Sequence, residues 1–146
     1  MSRGTDTGDA MIYCLRHRSS VKFDRISPAG FRILAALDRA TETVHVDLMV
    51  TSGTDSHRST DPHSTGEAYD VSVANLAPNQ IVQLKHALED DLGPLFTVLY
   101  ETPTKPVDSR LAAVAYVNKE ATGPHLHIQR KKGTIYPPLV AETVKV

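Results

Sequence analysis

Two short stretches of the sequence contain residues whose types and spacing suit metal-assisted chemistry. In DPHSTGEAYD, His63 precedes Asp70 by seven positions. In GPHLHIQ, His125 and His127 are two positions apart, so in a β-strand both side chains would lie on one face. Zinc binds imidazole nitrogen and carboxylate oxygen, and a catalytic zinc site uses three protein ligands and leaves a fourth position for water. The pattern predicts a zinc site made of His63, Asp70 and one of the two later histidines.

Glycines stand where the chain must turn into these two predicted strands. Gly66 lies between His63 and Asp70, and a turn from a ligand-bearing loop into a strand often needs a backbone conformation that only glycine adopts cheaply. Gly123 and Pro124 predict a second turn, immediately before the HLH stretch. We therefore expect two short strands, each beginning at a turn, that offer their ligands to a single point.

The other elements follow from hydrophobic periodicity. Ser27 as N-cap and Pro28 at the first helical position predict a helix over about 28–42, and a second apolar stripe ending before Gly93 predicts a helix over about 78–92. Strands are expected in VHVDLMVTSG, EAYDVSV, PLFTVLYET and HLHIQR, whereas the apolar run LAAVAYV has no clear assignment. This order predicts an α+β fold, with a small antiparallel sheet and helices packed on one face.

Composition narrows the class of protein. The chain of 146 residues predicts a polar tail over 1–10 and one domain over 11–146. A net charge of -1 gives no basic excess, so nucleic acid is not the expected partner. Cys14 is the only cysteine, which leaves His and carboxylate as metal ligands. Without a recognisable signal peptide or membrane span, we expect a soluble protein that is cytoplasmic at synthesis. The sequence does not indicate its site of action or its oligomeric state.

The two stretches together resemble the motifs of the zinc D-Ala-D-Ala carboxypeptidase and Hedgehog N-terminal domain superfamily, which includes lysostaphin-type peptidases. The first family motif is Ser, any residue, His, two residues, Gly, any residue, Ala, any residue, Asp. DPHSTGEAYD matches it at His63, Gly66, Ala68 and Asp70, with Asp61 in place of the serine. The preceding VTSG resembles the Thr-Ser-Gly segment of many members, and HLH matches the second motif. The resemblance covers about residues 30 to 130 and implies a Hedgehog/DD-peptidase-like fold.

The resemblance also implies a role for individual residues. It makes His63, Asp70 and His127 the zinc ligands, and His125 a neighbour that stabilises the transition state. The family places an acidic general base shortly before the last ligand. The position used by the carboxypeptidases, three before His127, holds Pro124 here, and the nearest acid is Glu120, seven residues before it. Glu120 is therefore the expected base, with a solvated loop carboxylate as the alternative.

The implied activity is hydrolysis of peptidoglycan stem-peptide bonds by metal-activated water, of D-Ala-D-Ala carboxypeptidase or endopeptidase type. A zinc-containing binding or structural module of Hedgehog type, without turnover, is the main alternative, and an unrelated domain with coincidental histidines is a third. His57 and Arg58 lie in the same long loop and could contact a substrate carboxylate, because a guanidinium offers a bidentate fork. An ordinary solvated loop pair is the alternative for these two residues.

Overall fold

The computed structural model describes residues 12–53 and 65–138 of the chain. The elements follow the order β1 (Leu15–His17), α1 (Pro28–Val44), β2 (Leu48–Ser52), β3 (Ala68–Ser72), α2 (Pro78–Leu92), β4 (Phe96–Thr102), α3 (Ser109–Val114), β5 (Ala115–Val117) and β6 (His125–Arg130). The six strands form one mixed sheet in the order β1-β2-β3-β6-β4-β5. The fold is therefore α+β, as the sequence predicts at that level.

The two long helices begin and end at local signals. The Ser27 hydroxyl caps α1 by accepting a hydrogen bond from the Gly30 backbone N–H at 3.0 Å. α2 covers Pro78–Leu92, and the Gln80 side chain accepts from the Ala77 backbone N–H at 2.9 Å. Gly93 ends α2 with a positive φ of 79°. These signals explain why the predicted helix of 78–92 is confirmed at both ends and the predicted helix of 28–42 extends two residues further.

The centre of the sheet is antiparallel, whereas its edges are parallel. β3 pairs with β2 and β6, and β4 pairs with β6, all antiparallel. At the edges β1 pairs with β2 and β4 with β5 in parallel. The expectation of an antiparallel sheet is therefore wrong for both edges. In each case a helix, α1 or α3, connects the two strands, which is the crossover that a parallel pair requires.

The helices and one face of the sheet enclose the hydrophobic core. From the sheet, Tyr69, Val71, Leu126 and Ile128 are fully buried at 0% exposure, and Ile33, Leu37, Leu84 and Leu88 join them from α1 and α2. Because side chains alternate along a strand, the residues between these core positions lie on the opposite face. That opposite face, called the open face below, carries the histidines and carboxylates of interest.

The first part of the predicted strand VHVDLMVTSG belongs to the helix before it. Val44 is the last residue of α1, and His45 caps the helix in the left-handed region, at φ 61° and ψ 53°. The His45 side chain is exposed at this helix end. Among the described residues, no helix is long and apolar enough to cross a membrane.

Candidate metal and catalytic site

The pairing of β3 with β6 brings the two sequence motifs together. Asp70 lies opposite His127 in the register, and Ser72 lies opposite His125. All four side chains project from the open face, because Val71 and Leu126 between them are buried in the core. The side chains of the ionisable residues are recessed, with Asp70 and His125 each 17% exposed and His127 15% exposed. The sheet thus gathers one carboxylate and two imidazoles in a partly desolvated place.

His127 is held by two oxygen atoms. Its Nδ1 lies 2.9 Å from Asp70 Oδ1, and its Nε2 lies 2.7 Å from Gln129 Oε1. Burial lowers the pKa of His127, but the hydrogen bonds to Asp70 and Gln129 and the charges of Asp70 and Glu101 outweigh it, so the net pKa is raised above its ordinary value. The contacts of His127 with Asp70 and Gln129 therefore favour the protonated form of its ring.

His125 is oriented by acceptors on both sides of its ring. Its Nδ1 lies 3.0 Å from the Gly123 carbonyl oxygen, and its Nε2 lies 2.9 Å from Glu101 Oε1. A carbonyl oxygen only accepts, so Nδ1 carries a proton and donates it. The Nε2 atom is therefore the ring atom that faces the site, and it lies 3.9 Å from Asp70 Oδ1. The turn at Gly123 and Pro124, expected from the sequence, supplies the acceptor that sets this orientation.

Glu101 is a site residue that the sequence interpretation missed. It lies opposite His125 in the β4–β6 register, and its side chain is 16% exposed. Its other oxygen, Oε2, accepts a hydrogen bond from Asn118 Nδ2 at 3.2 Å. The alternation in FTVLYET does carry a signal, since Phe96, Val98 and Tyr100 are buried and Glu101 falls on the other face. The missing information was that β4 is the neighbour of β6.

Glu120, the predicted base, lies in a turn with an exposed side chain. Its backbone N–H donates to Asn118 Oδ1 at 3.1 Å, but no hydrogen bond or ion pair joins its carboxylate to any residue in the described ranges. Asn118 therefore contacts both acids, through the Glu101 side chain and the Glu120 backbone. Of these two acids, Glu101 is the one in contact with His125.

The described residues give one distance between two of the predicted zinc ligands. Zinc–nitrogen and zinc–oxygen bonds of about 2.0–2.1 Å at tetrahedral angles place two ligand atoms about 3.3 Å apart. Asp70 Oδ1 lies 2.9 Å from His127 Nδ1, which is closer than that value and is the length of a direct hydrogen bond. Within residues 12–53 and 65–138, no group of three or more His, Cys, Asp or Glu side chains is arranged to hold a metal ion. A zinc site at Asp70 and His127 would therefore need a ligand from outside these ranges.

That ligand was predicted to be His63, which lies outside the described residues, as do His57, Arg58 and Asp61. The described chain resumes at Thr65 and turns at Gly66, whose φ of 75° lies in the left-handed region that favours glycine. The predicted need for glycine between the two motif ligands is confirmed at this position. Asp70 follows in β3 after a single turn of chain.

The turn at Gly66 is locked against the start of α1. The Gly66 carbonyl oxygen accepts a hydrogen bond from the Ser27 hydroxyl at 3.1 Å. A Cβ atom on Gly30 would lie 2.2 Å from that same oxygen, and one on Gly66 would lie 1.9 Å from the Arg25 carbonyl oxygen. Two glycines thus allow backbone segments to approach more closely than any side chain permits. This contact fixes where β3, and with it Asp70, enters the sheet.

The same residues do not form a serine-nucleophile triad. Ser72 lies opposite His125, and Glu101 contacts that histidine, so the residue types of a Ser-His-Glu arrangement are present. A triad requires one ring nitrogen to accept the serine proton while the other donates to the acid. Both nitrogens of His125 are engaged, with Gly123 and with Glu101, and neither serves Ser72. The arrangement therefore does not support Ser72 as a nucleophile activated by His125.

Comparisons of the chain with protein-family models, with characterised proteins and with solved structures gave no match.

Proposed function

We propose that this chain is a zinc-dependent peptidase that hydrolyses peptidoglycan stem-peptide bonds, of D-Ala-D-Ala carboxypeptidase or endopeptidase type. One observation carries the proposal. Asp70 and His127, assigned as ligands from two separate motifs, are 57 residues apart in sequence, yet their side chains meet at 2.9 Å. Two motifs far apart in sequence thus meet on one face of one sheet, which supports the proposal.

Each residue of the proposed site has its own role. Asp70 and His127, completed by His63, would hold the zinc, which when bound would supply Lewis-acid polarisation of the scissile carbonyl and a water of lowered pKa. For His125 to donate a hydrogen bond from Nε2 to the oxygen on which negative charge develops, that nitrogen would have to exchange its contact with Glu101 for one with the substrate. Glu101, in contact with that nitrogen, is the carboxylate best placed to accept a proton. Glu120 is thereby replaced as the preferred base.

The alternative function, a zinc-containing binding or structural module without turnover, is favoured by a different observation. Glu120 is exposed and its carboxylate contacts no described residue of the site, and the position three residues before His127 is Pro124. If Glu101 serves only to hold His125 in place, then the chain binds zinc and leaves the peptide intact. Turnover separates the two functions.

Zinc content and turnover together test the proposal. Purified wild-type protein is expected to bind one zinc ion per chain and to release D-Ala from a pentapeptide ending in D-Ala-D-Ala, with elemental analysis and product chromatography as the measurements. His127→Ala and His63→Ala are expected to lose both properties. His86→Ala is the matched control, because His86 is 62% exposed on α2 and away from the open face.

Each outcome has a clear meaning. Zinc binding without product release supports the binding module. Wild-type protein that binds no zinc, or a His127→Ala variant that binds as much zinc as wild type, contradicts both functions.

A further inference from the structure

We propose that the outer edge of β1 binds a partner peptide as an added β-strand, and that this peptide alternates acidic and apolar residues. β1 (Leu15–His17) is the last strand on its side of the sheet, and within the part of the chain that the structure describes no strand pairs with its outer edge. β2 and β3 separate this edge from the histidines of β6, so the peptide would bind apart from the candidate site, whatever reaction that site performs.

The parallel pairing of β1 with β2 leaves alternate backbone groups of β1 directed outward. Cys14 bonds to β2 through its carbonyl oxygen at 3.0 Å, and Arg18 does so through its backbone N–H at 3.1 Å. In a parallel ladder every second residue bonds to a given neighbouring strand, so Leu15 and His17 direct their N–H and carbonyl groups away from β2. These groups are the template that an added strand needs in β-augmentation.

An apolar notch of about 190 Å³ lies beside this edge, on the side of the sheet that faces α1. The walls of the notch come from β1, β2, α1 and the segment after β1, namely Leu15, Arg16, His17, Phe23, Leu34 and Val50. The His17 ring packs edge-to-face on Phe23 at 5.2 Å between centroids, and Phe23 stacks on the buried Tyr69 at 5.9 Å. Small-molecule pockets measure about 300–1,000 Å³, so this smaller notch suits a single apolar side chain.

The other side of the same edge is basic. Side chains alternate along a strand, so Leu15 and His17 point to the notch, whereas Arg16 and Arg18 point to the open face. Both arginines are exposed, and neither belongs to the arginine ion pairs found in the described ranges. An added strand alternates too, so its side chains would meet the notch and the arginines in turn. The edge therefore suits apolar residues at every second position with carboxylates between them.

The same charges argue against a second copy of this chain as the occupant. Two β1 edges that paired with each other would bring the arginines of both chains together, and like charges on neighbouring strands are destabilising. An acidic strand would pair with the arginines instead. Exposed ion pairs contribute little energy, so the backbone hydrogen bonds would supply most of the affinity and the charges would select the partner.

Binding is tested with the full chain and a labelled peptide, Glu-Val-Glu-Val-Glu, by fluorescence polarisation. Lys-Val-Lys-Val-Lys should bind about tenfold more weakly, because its charges repel the arginines. The acidic peptide with every backbone nitrogen methylated should also bind about tenfold more weakly, because it cannot donate to the edge.

Two variants at His17 isolate the backbone contribution. His17→Pro and His17→Ala both remove the ring, but only proline removes the outward N–H, at an edge position where proline is tolerated. His17→Pro should bind the acidic peptide about three- to tenfold more weakly than His17→Ala does. Arg16→Glu should weaken binding about tenfold at low salt. Lys119→Glu is the matched control, because it makes the same change of charge at an exposed residue beside β5, the opposite edge of the sheet.

Amide hydrogen exchange followed by NMR locates the contact. The Leu15 and His17 amides should exchange freely in the chain alone and become protected when the acidic peptide is added, whereas the Arg16 amide, which faces β2, should change little. The proposal is overturned by absent binding of the acidic peptide, by equal binding of the acidic and basic peptides, by equal binding to the two His17 variants, or by protection confined to other residues.

Protection of the Leu15 and His17 amides before any peptide is added would also overturn the proposal. The edge would then be covered by another part of the chain or, if the protection rises with protein concentration, by a second copy. If His17→Pro does not fold, as judged by circular dichroism, the methylated peptide and Arg16→Glu decide between the two results.

Discussion

Replacing Gly66 by alanine tests whether the turn before Asp70 is held by backbone contact. Two costs are expected. The φ of 75° is in the left-handed region, which costs a residue with a side chain about 1–2 kcal/mol. In addition, the new Cβ would lie 1.9 Å from the Arg25 carbonyl oxygen and 2.7 Å from its carbon, so backbone must move, at about 1–3 kcal/mol for an overpacked site. The sum is a loss of about 2–5 kcal/mol in the free energy of unfolding.

Substitutions at two other glycines distinguish the conformational cost from the cost of overpacking. Gly133 has a φ of 81°, but a Cβ added there would meet no atom within 4 Å, so Gly133→Ala should lose only the conformational part, about 1–2 kcal/mol. Gly123 has ample space and no positive φ, so Gly123→Ala should leave the stability unchanged or slightly higher. The three variants and wild type are compared by urea denaturation followed by circular dichroism, with the free energy taken from the midpoint and slope.

The expected order of stability loss is Gly66→Ala, then Gly133→Ala, then Gly123→Ala. Equal losses for Gly66→Ala and Gly133→Ala would refute the close approach of the turn to Arg25, because only the conformational cost would remain. The slope of the denaturation curve should be the same for all of them, since a change in slope would indicate a different compactness and not a local contact.

Three further results are expected. Glu101→Gln should lower turnover at least tenfold with zinc content unchanged, whereas Glu120→Gln should keep both near wild type, and the reverse order of turnover would restore Glu120 as the base. The pKa of Glu67 is lowered by its hydrogen bond with Arg130, so the stability that the pair contributes, about 0.5–1 kcal/mol, should be present at neutral pH and lost as the pH falls below about 4.5 through the folded-state pKa. Urea titrations of wild type and Glu67→Gln at pH 7 and pH 3 check this, and a pH-independent difference would contradict it. Ser27→Ala removes both the α1 cap and the hydrogen bond to the Gly66 carbonyl, so it should cost about 1–2 kcal/mol in the same assay, and an unchanged midpoint would contradict these two contacts.

Elements with local signals were predictable from the sequence, and elements that depend on a neighbour were not. α2 has a proline at its start and a glycine after its end, and HLHIQR alternates from its first residue to its last, so both were predicted at the observed bounds. β1 and β5 have three residues each, too few to show a period, and they exist because β2 and β4 offer them free edges to pair with. α3, with six residues, is started by the Asp108 side chain, which accepts from the Arg110 and Leu111 backbone N–H groups.

The site residues also differ in whether a local pattern predicts them or a neighbouring strand is needed to place them. Asp70, His125 and His127 could be named because their residue types and spacing match motifs, and the alternation of each strand gives the face on which they lie. Glu101 could not be assigned, because its role depends on β4 lying next to β6 and not on any feature of its own stretch. Strand order is set by the packing of the whole core, which no local pattern encodes.

The hydrophobic core fixes the register of β3 with β6, and so it determines the distance between Asp70 and His127. A shift of one residue in the pairing of β3 with β6 would send both imidazoles of HLH into the core and bring Leu126 and Ile128, now 0% exposed, to the surface. Burial of each such side chain contributes about 1.5–3 kcal/mol, so the apolar residues fix the register that aligns the polar ones. The sheet therefore holds the carboxylate and the imidazole together through the hydrophobic side chains on its other face, and the chemistry of the open face depends on that packing.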